Sequence, residues 1–514
     1  MLRRAALALA SGGALTLAFP AYGVWWLAPV AVAGLTLATC GVRARHGAWL
    51  GLLAGGAFFV PALSWSGTDF LGVVPWLGLA ASQALFVALV GAVVAGLSRG
   101  RPVVRPAVVA LAWVGAEALR DRVPYGGFPW VRLAFSQADS PLGRLAALGG
   151  APLVTFGVAL TGGLLALAVR YAARAPEVAP GSGRRGGPRA LVLAALVGVA
   201  GLLVPVPTDG PTARVMAVQG NVPRPGLDFN AERRQVLDNH VEATLAGLAR
   251  GRAAGEPAPE VVVWPENASD IDPTRNADAA AQIARVTDAA GVPLLVGGLL
   301  DEPAPRISNV TLMYRPRQGL VQTYVKQHPV PFAEYIPDRE FFRRFSSAVD
   351  LLSREMAAGD RPGVFRVERT GPGLPVAAGA TICFEVAYDE LVRGTVQAGA
   401  NLVLVQTNNA TFGSSHESVQ QLAISRIRAI EHGRSVVHVS TVGVSALILP
   451  DGTLRQPTSL YTTATLRGDL PLRETLTLAT RIGPWPEYGA GALLLLIVVL
   501  TLVRPRTERT DPPS

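Results

Sequence analysis

Cys383 is one of only two cysteines in 514 residues, and it stands in the run Ala378-Gly-Ala-Thr-Ile-Cys383-Phe-Glu-Val-Ala-Tyr388-Asp. Up to Ile382 this run is small and apolar, as a buried strand is. From Val386 it takes the pattern of a helix start, with Asp389 and Glu390 in the first turn. The expectation is a strand-to-helix corner at Cys383, where helix N–H groups and the helix dipole stabilise a thiolate. The other cysteine, Cys40, lies in an apolar run and reads as packing. Of 46 basic side chains only one is a lysine, Lys326, in Tyr324-Val-Lys326-Gln-His-Pro-Val-Pro-Phe-Ala-Glu334. A chain that writes nearly every positive charge as arginine has kept a compact ammonium where a planar fork would not fit. The third piece is Val261-Val-Val-Trp264-Pro-Glu266-Asn267, an apolar strand that delivers a carboxylate at its C-terminal end, where ligands collect in α/β folds. Singly, these are a packing cysteine, a surface lysine and a capping glutamate. Together they are a base for a thiol proton, a cation for a developing oxyanion and a soft nucleophile that forms a thioester.

The chain order Glu266, Lys326, Cys383 resembles the nitrilase superfamily, whose Glu-Lys-Cys triad acts on C–N bonds or transfers acyl groups. The resemblance covers roughly residues 213–466. It implies an α-β-β-α sandwich, and the local patterns agree with one. Strands are expected at 214–219, 261–264, 292–299, 309–314, 320–325, 401–406, 435–441 and 444–449, with helices at 230–253, 277–290 and 417–431.

Those elements must be carried by something, and the flanks are apolar. Runs at 5–22, 24–40, 47–64, 73–97, 105–120, 150–169, 189–206 and 487–503 mostly approach the length of about 20 residues that a bilayer crossing needs. Met1-Leu-Arg-Arg before the first run could head a cleaved signal peptide, but the immediate succession of further runs favours a retained helix. Arginine placement orients the set. Segments at Arg3–Arg4, Arg43–Arg45, Arg99–Arg105, Arg170–Arg189 and the tail from Arg504 are arginine-rich, while the connections at 20–23 and 66–72 carry neither Lys nor Arg. By the positive-inside rule the former are cytoplasmic. The expected domains are therefore 1–207 with seven transmembrane helices, an extracytoplasmic catalytic domain at 208–486, an eighth helix at 487–503 and a cytoplasmic tail at 504–514. This distribution also explains the net charge of +9 without nucleic acid. Glu117 is the main charge inside the runs. The segment 122–137, rich in Gly, Pro and aromatics, suits a re-entrant or interfacial loop, and 176–188 reads as a cytoplasmic linker. No CxxC or HExxH spacing points to a metal, and no cofactor is expected.

An outward-facing nitrilase-type domain held between membrane helices is a narrow description, and the whole chain resembles the apolipoprotein N-acyltransferase family. The matching pieces are Gly-Phe128-Pro-Trp130 with Ser136-Gln137, Val218-Gln-Gly-Asn-Val-Pro, Trp264-Pro-Glu266, Lys326 with Pro-Phe-Ala-Glu334, Cys383-Phe-Glu385 and Ser425-Arg-Ile-Arg-Ala-Ile-Glu431. In that family an acyl chain passes from a phospholipid, usually phosphatidylethanolamine, through a cysteine thioester to the α-amino group of a diacylglyceryl-cysteine heading an apolipoprotein. Carried over by motif, the resemblance makes Cys383 the nucleophile, Glu266 the general base and Lys326 the oxyanion stabiliser, with Glu334 and Glu385 as supporting acids. It also implies residence in the bacterial cytoplasmic (inner) membrane. Two departures stand out: Phe384 occupies a position that is often tyrosine, and an arm tryptophan of relatives has no match nearer than Phe229. Some actinobacterial members work beside a polyprenol-phosphate mannosyl synthase; these 514 residues encode no such domain, and a separate partner of that kind stays open. The rival reading is a membrane-tethered amidase in which water resolves the thioester.

Overall fold

The computed structural model describes residues 1–67, 72–98, 103–174, 186–222, 233–344, 347–350, 352–368 and 373–503. Phe229, the first three residues of the expected 230–253 helix, Arg99 and Arg101, most of the 176–188 linker and the tail from Arg504 lie outside them.

Helices form over all eight apolar runs: α1 (Leu2–Ala18), α2 (Leu27–Thr39), α3 (Ala44–Ala62), α4 (Val73–Leu97), α5 (Pro106–Arg120), α6 (Ala146–Arg174), α7 (Gly186–Val199) and α14 (Trp485–Val503). Three helical stretches, Val73–Leu97, Pro141–Ala173 and Gly186–Leu203, are long and apolar enough to cross a membrane. Between apolar helices in lipid, close van der Waals contact replaces the hydrophobic effect, and small residues permit it. The α3/α4 seam is built this way. A Cβ on Gly47 would lie 2.3 Å from the Gly91 carbonyl oxygen, and one on Gly51 would lie 2.3 Å from that of Val87. Glu117 on α5 is not solitary. It accepts the Leu133 N–H at 2.8 Å and the Thr155 hydroxyl at 2.7 Å, and it pairs with Arg132 at 3.6 Å.

The other region is a sandwich of two six-stranded sheets. The first runs β12-β1-β2-β3-β4-β5 and the second β11-β10-β9-β8-β7-β6. Its strands are β1 (Thr212–Gln219), β2 (Val261–Val263), β3 (Leu294–Leu300), β4 (Ser308–Arg315), β5 (Gly319–Val325), β6 (Gly363–Val367), β7 (Val376–Ile382), β8 (Leu402–Thr407), β9 (Ser435–Ser440), β10 (Ala446–Ile448), β11 (Leu454–Arg455) and β12 (Ala464–Pro471). The central strands β1-β2-β3 and β7-β8-β9 pair in parallel and are buried, which is why they read as continuous apolar runs. Val215, Val263, Leu295, Phe365, Ala380 and Leu404 meet between the sheets. Helices α8 (Arg233–Ala253) and α9 (Ala277–Ala290) cover the first sheet through Leu237, Val241, Ile283 and Val286. Helices α11 (Asp389–Gln397) and α12 (Glu417–His432) cover the second, and their apolar cluster runs on without a break into α5, α6 and the 128–135 segment. The sandwich thus shares a core with the helical region. Its first and last strands are neighbours, with Thr212 paired antiparallel to Pro471.

One expectation is corrected. The α-helix after Cys383 begins at Asp389, and Cys383–Ala387 is a single 3-10 turn. Glu385 causes the delay: its carboxylate accepts the Ile382 N–H at 2.7 Å and closes the turn on itself. Strands β6, β11 and β12 and the short helix α13 (Leu478–Ile482) were not expected.

Candidate active site

Each residue of the expected triad follows the C-terminal end of a strand. Glu266 lies beyond β2 and Lys326 directly after β5, both on the first sheet, and Cys383 directly follows β7 on the second. The two sheets meet at this point. Glu266 can cross over β3 because the strand carries Gly297 there, where a Cβ would sit 2.2 Å from the Pro265 carbonyl oxygen. The Glu266 carbonyl accepts the Thr441 hydroxyl at 2.7 Å, which ties the base to the second sheet. Cys383 has φ of +53°, a conformation that costs a non-glycine residue about 1–3 kcal/mol. The strain persists because the Glu385 carboxylate holds both sides of the corner. It accepts the Ile382 N–H, the Gln327 and His328 N–H groups at 2.7 and 3.2 Å, and the Tyr324 hydroxyl at 3.0 Å. Glu385 is fully buried, so it joins the lysine-bearing strand to the cysteine turn from behind, and its oxygens are committed to that task.

Lys326 is buried, with Nζ 2.7 Å from Glu334 Oε1 and 3.6 Å from Glu266 Oε1. Asn309 Nδ2 donates to the same two carboxylates, at 2.7 Å to Glu266 and 3.2 Å to Glu334. Burial works against the ammonium, but Glu334 and then Glu266 outweigh it and raise the pKa of Lys326. The cation is therefore permanent. Burial raises the pKa of Glu266; Lys326 opposes this and Glu334 adds to it. Burial, and then the charge of Glu266, push the Cys383 thiol up, against the pull of Lys326. At rest the sulfur is a thiol, close enough to Glu266 that each group acts on the other's proton. This replaces the thiolate expected from a helix start. The α-helix begins only six residues on, at Asp389, so no α-helix start lies at the sulfur. On the far side, Gln421 Nε2 of α12 reaches Cys383 Sγ at 3.7 Å, and Cys383 itself is only half-buried. Among the described residues no group of three or more His, Cys, Asp or Glu is placed to hold a metal.

Residues 11–164 match the family described as apolipoprotein N-acyltransferase N-terminal domain, and residues 214–478 match carbon-nitrogen hydrolase. The chain is 40% identical over 524 residues to the apolipoprotein N-acyltransferase of Mycolicibacterium smegmatis, covering 96% of this chain and 84% of that one. The chain belongs to the apolipoprotein N-acyltransferase family. The enzyme of that name from Azotobacter vinelandii is 31% identical over 527 residues, covering 98% of this chain and 96% of its own. An amidase from Nesterenkonia sp. covers 52% of this chain and 93% of its own, at a TM-score of 0.38 and 17% identity, a likeness too slight to build on.

The part of this family member that sequence patterns left blank is how its two regions meet. Phe384, next to Cys383, stacks in parallel offset on Trp130, with centroids 5.1 Å apart and planes 3° from parallel. Trp130 is fully buried against the sandwich. Such a stack adds about 0.5–1.5 kcal/mol beyond its buried area. Gln420 of α12 accepts the indole N–H groups of Trp130 at 2.8 Å and Trp65 at 3.1 Å, and donates to the Ala62 carbonyl at 3.1 Å. Arg132 reaches Asp389 at 2.8 Å, Asp121 at 3.0 Å and Glu487 at 3.3 Å. Arg428 binds the Val386 and Ala387 carbonyls at 2.9 and 2.7 Å, Asp389 at 2.6 Å and Glu431. No local pattern announces Asn309, Gln420, Gln421 or Arg132, because each works through a partner at least 20 residues away.

Proposed function

We propose that this protein transfers a fatty acyl chain from a membrane phospholipid, with phosphatidylethanolamine as the donor, to the α-amino group of the diacylglyceryl-cysteine of apolipoproteins. Cys383 is the nucleophile, Glu266 the base, and Lys326 the cation that receives the oxyanion. Glu334 holds Lys326 and Glu385 holds the corner. In the first half-reaction the thiol proton passes to Glu266 while sulfur attacks the ester carbonyl. The negative charge forms beside Lys326, the C–O bond breaks, and Glu266 returns the proton to the departing alkoxide. A lysophospholipid leaves and a thioester stays on Cys383. The acceptor amine then attacks the thioester carbon, the C–S bond breaks, and the thiol is restored.

The observation that carries this reading is the stack of Phe384 on Trp130. It puts the nucleophile's neighbour in the core shared with the apolar helices, so an acyl chain can reach the sulfur laterally. Withdrawing a lipid from the bilayer costs about 0.8 kcal/mol per CH₂, which lateral entry avoids. A small-amide hydrolase would need none of this. Purified protein given radiolabelled phospholipid without acceptor should hold label that neutral hydroxylamine strips, and Cys383→Ala should hold none. Addition of a diacylglyceryl peptide should move that label onto the peptide amine. Release to water at the same rate with or without peptide favours the amidase.

The arginine distribution supports eight membrane helices, domain bounds at 1–207, 208–486, 487–503 and 504–514, and a catalytic domain on the outer face of the cytoplasmic membrane. An impermeant thiol probe on spheroplasts should label a cysteine introduced at the exposed Ser459 and spare one at Arg184. The reverse pattern would overturn both the topology and the lipoprotein reading. A separate polyprenol-phosphate mannosyl synthase is the partner to seek by co-purification.

A further inference from the structure

We propose that Glu417 is a second proton acceptor of the site: it receives the α-ammonium of the acceptor peptide and takes from it the proton that Glu266 cannot hold. The inference rests on the acyltransferase reading.

The proton balance requires such a group. In the first half-reaction one proton leaves the thiol, visits Glu266 and departs on the alkoxide, so Glu266 ends as a carboxylate. In the second, one proton leaves the attacking nitrogen and returns through Glu266 to the sulfur as C–N forms and C–S breaks. That balance closes only for a neutral amine. An α-amino group has a pKa of about 8, so at pH 7 about nine in ten acceptors arrive as ammonium with one proton more. Until that proton goes, the nitrogen has no lone pair. Glu266 must stay free for the next proton, and Lys326, already charged, cannot take one.

Glu417 is placed to do it. It lies one helical turn before Gln421 on α12, so the two side chains share a face. Gln421 Nε2 is 3.7 Å from Cys383 Sγ, and Asn409 Nδ2 binds both Glu417 Oε2 at 2.6 Å and Gln421 Oε1 at 3.1 Å. The carboxyl is buried, only 2% exposed, with no cation paired to it among the described residues. It lies close enough to Cys383 that its charge acts on the thiol. Behind it, Ser414 is exposed and Ser415 and His416 are half-buried, which gives the proton a short way out. The other titratable groups whose fields reach Glu417 are Glu266, beyond β2, and Cys383; His416, next in the chain, packs on Tyr22. Burial raises the Glu417 pKa to about 8 against the Asn409 hydrogen bond, with Glu266 adding to the rise. The empty site therefore keeps it neutral. An ammonium seated beside it would pull that pKa down by about 1–3 units and make it the base. The motif patterns missed it because Glu at the first turn of a helix is ordinary capping.

The test separates the half-reactions on full-length protein in detergent or nanodiscs. Thioester is loaded from radiolabelled phospholipid, then discharged by a diacylglyceryl lipopeptide from pH 6.5 to 9. Without Glu417 only the free amine reacts, so Glu417→Gln should discharge about tenfold more slowly at pH 7 and match the parent by pH 9. Its loading should stay close to parental, and Glu417→Asp should recover part of the pH 7 rate. A parent-to-variant ratio that does not change with pH, or equal losses in loading and discharge, would make Glu417 a structural residue and overturn the proposal. A check needing no variant uses the parent protein at saturating lipopeptide: its discharge should stay level as pH falls from 8 to 7. A tenfold fall over that unit also overturns it. A parent that takes up no hydroxylamine-labile label defeats the acyltransferase reading itself, which is a distinct result.

Discussion

Lys326 meets two carboxylates through a single nitrogen, whereas Arg132 and Arg428 each use a planar fork to meet four protein groups. Both clusters are buried and both mix one sign of charge with the other. The arginine cluster fixes the helical region onto the turn that carries Cys383, and both terminal nitrogens of each fork have a fixed partner. The lysine cluster holds its cation close enough to Cys383 that the two act on each other, and in the proposed reaction charge comes and goes there. A guanidinium suits the first task because it is rigid, divided among several acceptors and weakly hydrated. An ammonium suits the second because it is a small point charge. On the proposed reading, the difference teaches that the single lysine stands where charge must act on a substrate, while the abundant arginine does the holding.

The comparison can be broken at four places. Arg428→Ala should have the largest effect, on stability: it strands Glu431 and two carbonyls in the interior and leaves Asp389 to Arg132 alone, at a cost of about 3–5 kcal/mol. Thermal unfolding in nanodiscs measures this, and a loss below about 1 kcal/mol would mean the interface does not depend on its forks. Lys326→Arg should leave the unfolding temperature near that of the parent and cut thioester loading by about 10²-fold or more, the scale of one oxyanion donor. Near-normal loading would end the distinction between the two cations.

Arg132→Lys keeps the charge and loses the fork. It should cost about 1–3 kcal/mol of stability, with loading per folded molecule largely kept; loss of loading at unchanged stability would move Arg132 into the chemistry. The smallest effect is in pH. The base works deprotonated and burial, chiefly, raises Glu266, so loading should fall below a pH that lies above the ordinary value of about 4.3, at up to tenfold per unit. Asp389 has the opposite sign. Burial opposes its charge, but Arg132 and Arg428 hold its pKa well below the carboxylate range. The stability it lends is complete above about pH 3.9 and is lost only as pH falls further. Between those limits the enzyme should lose loading while its unfolding temperature holds. A simultaneous loss would show that one cluster serves both ends.

The places of Glu266, Lys326 and Cys383 and most strands of the sandwich were legible in the sequence for a single reason: each residue of the proposed triad follows an apolar run, and a buried parallel strand needs such a run. Helix α9 was placed at both ends because Asn276 caps it and Gly291 stops it. The start of α11 was missed because Glu385 turns inward to bind N–H groups of the β5 connection, and residues 58 positions away leave no local trace. Strand β12 was missed because its partner is β1, from the other end of the domain. The same distance hid Trp130 and Gln420. Chemistry that sits on one strand end can be read locally; chemistry that depends on docking cannot.

The pairing of Thr212 with Pro471, reinforced by the Leu472 N–H on the Pro211 carbonyl at 2.7 Å, brings the two ends of the sandwich together at one edge. A domain whose ends are neighbours can be inserted into another protein without stretching either one. Genetically this makes the sandwich a cassette. An ancestral helical protein could have accepted it between α7 and α14 in one event, and an engineer could exchange it for another nitrilase-type sandwich by joining at the same two points. What such an exchange would have to recreate is the face of α12 that Trp130 reads and the start of α11 that Arg132 holds, since the ends impose no geometry of their own.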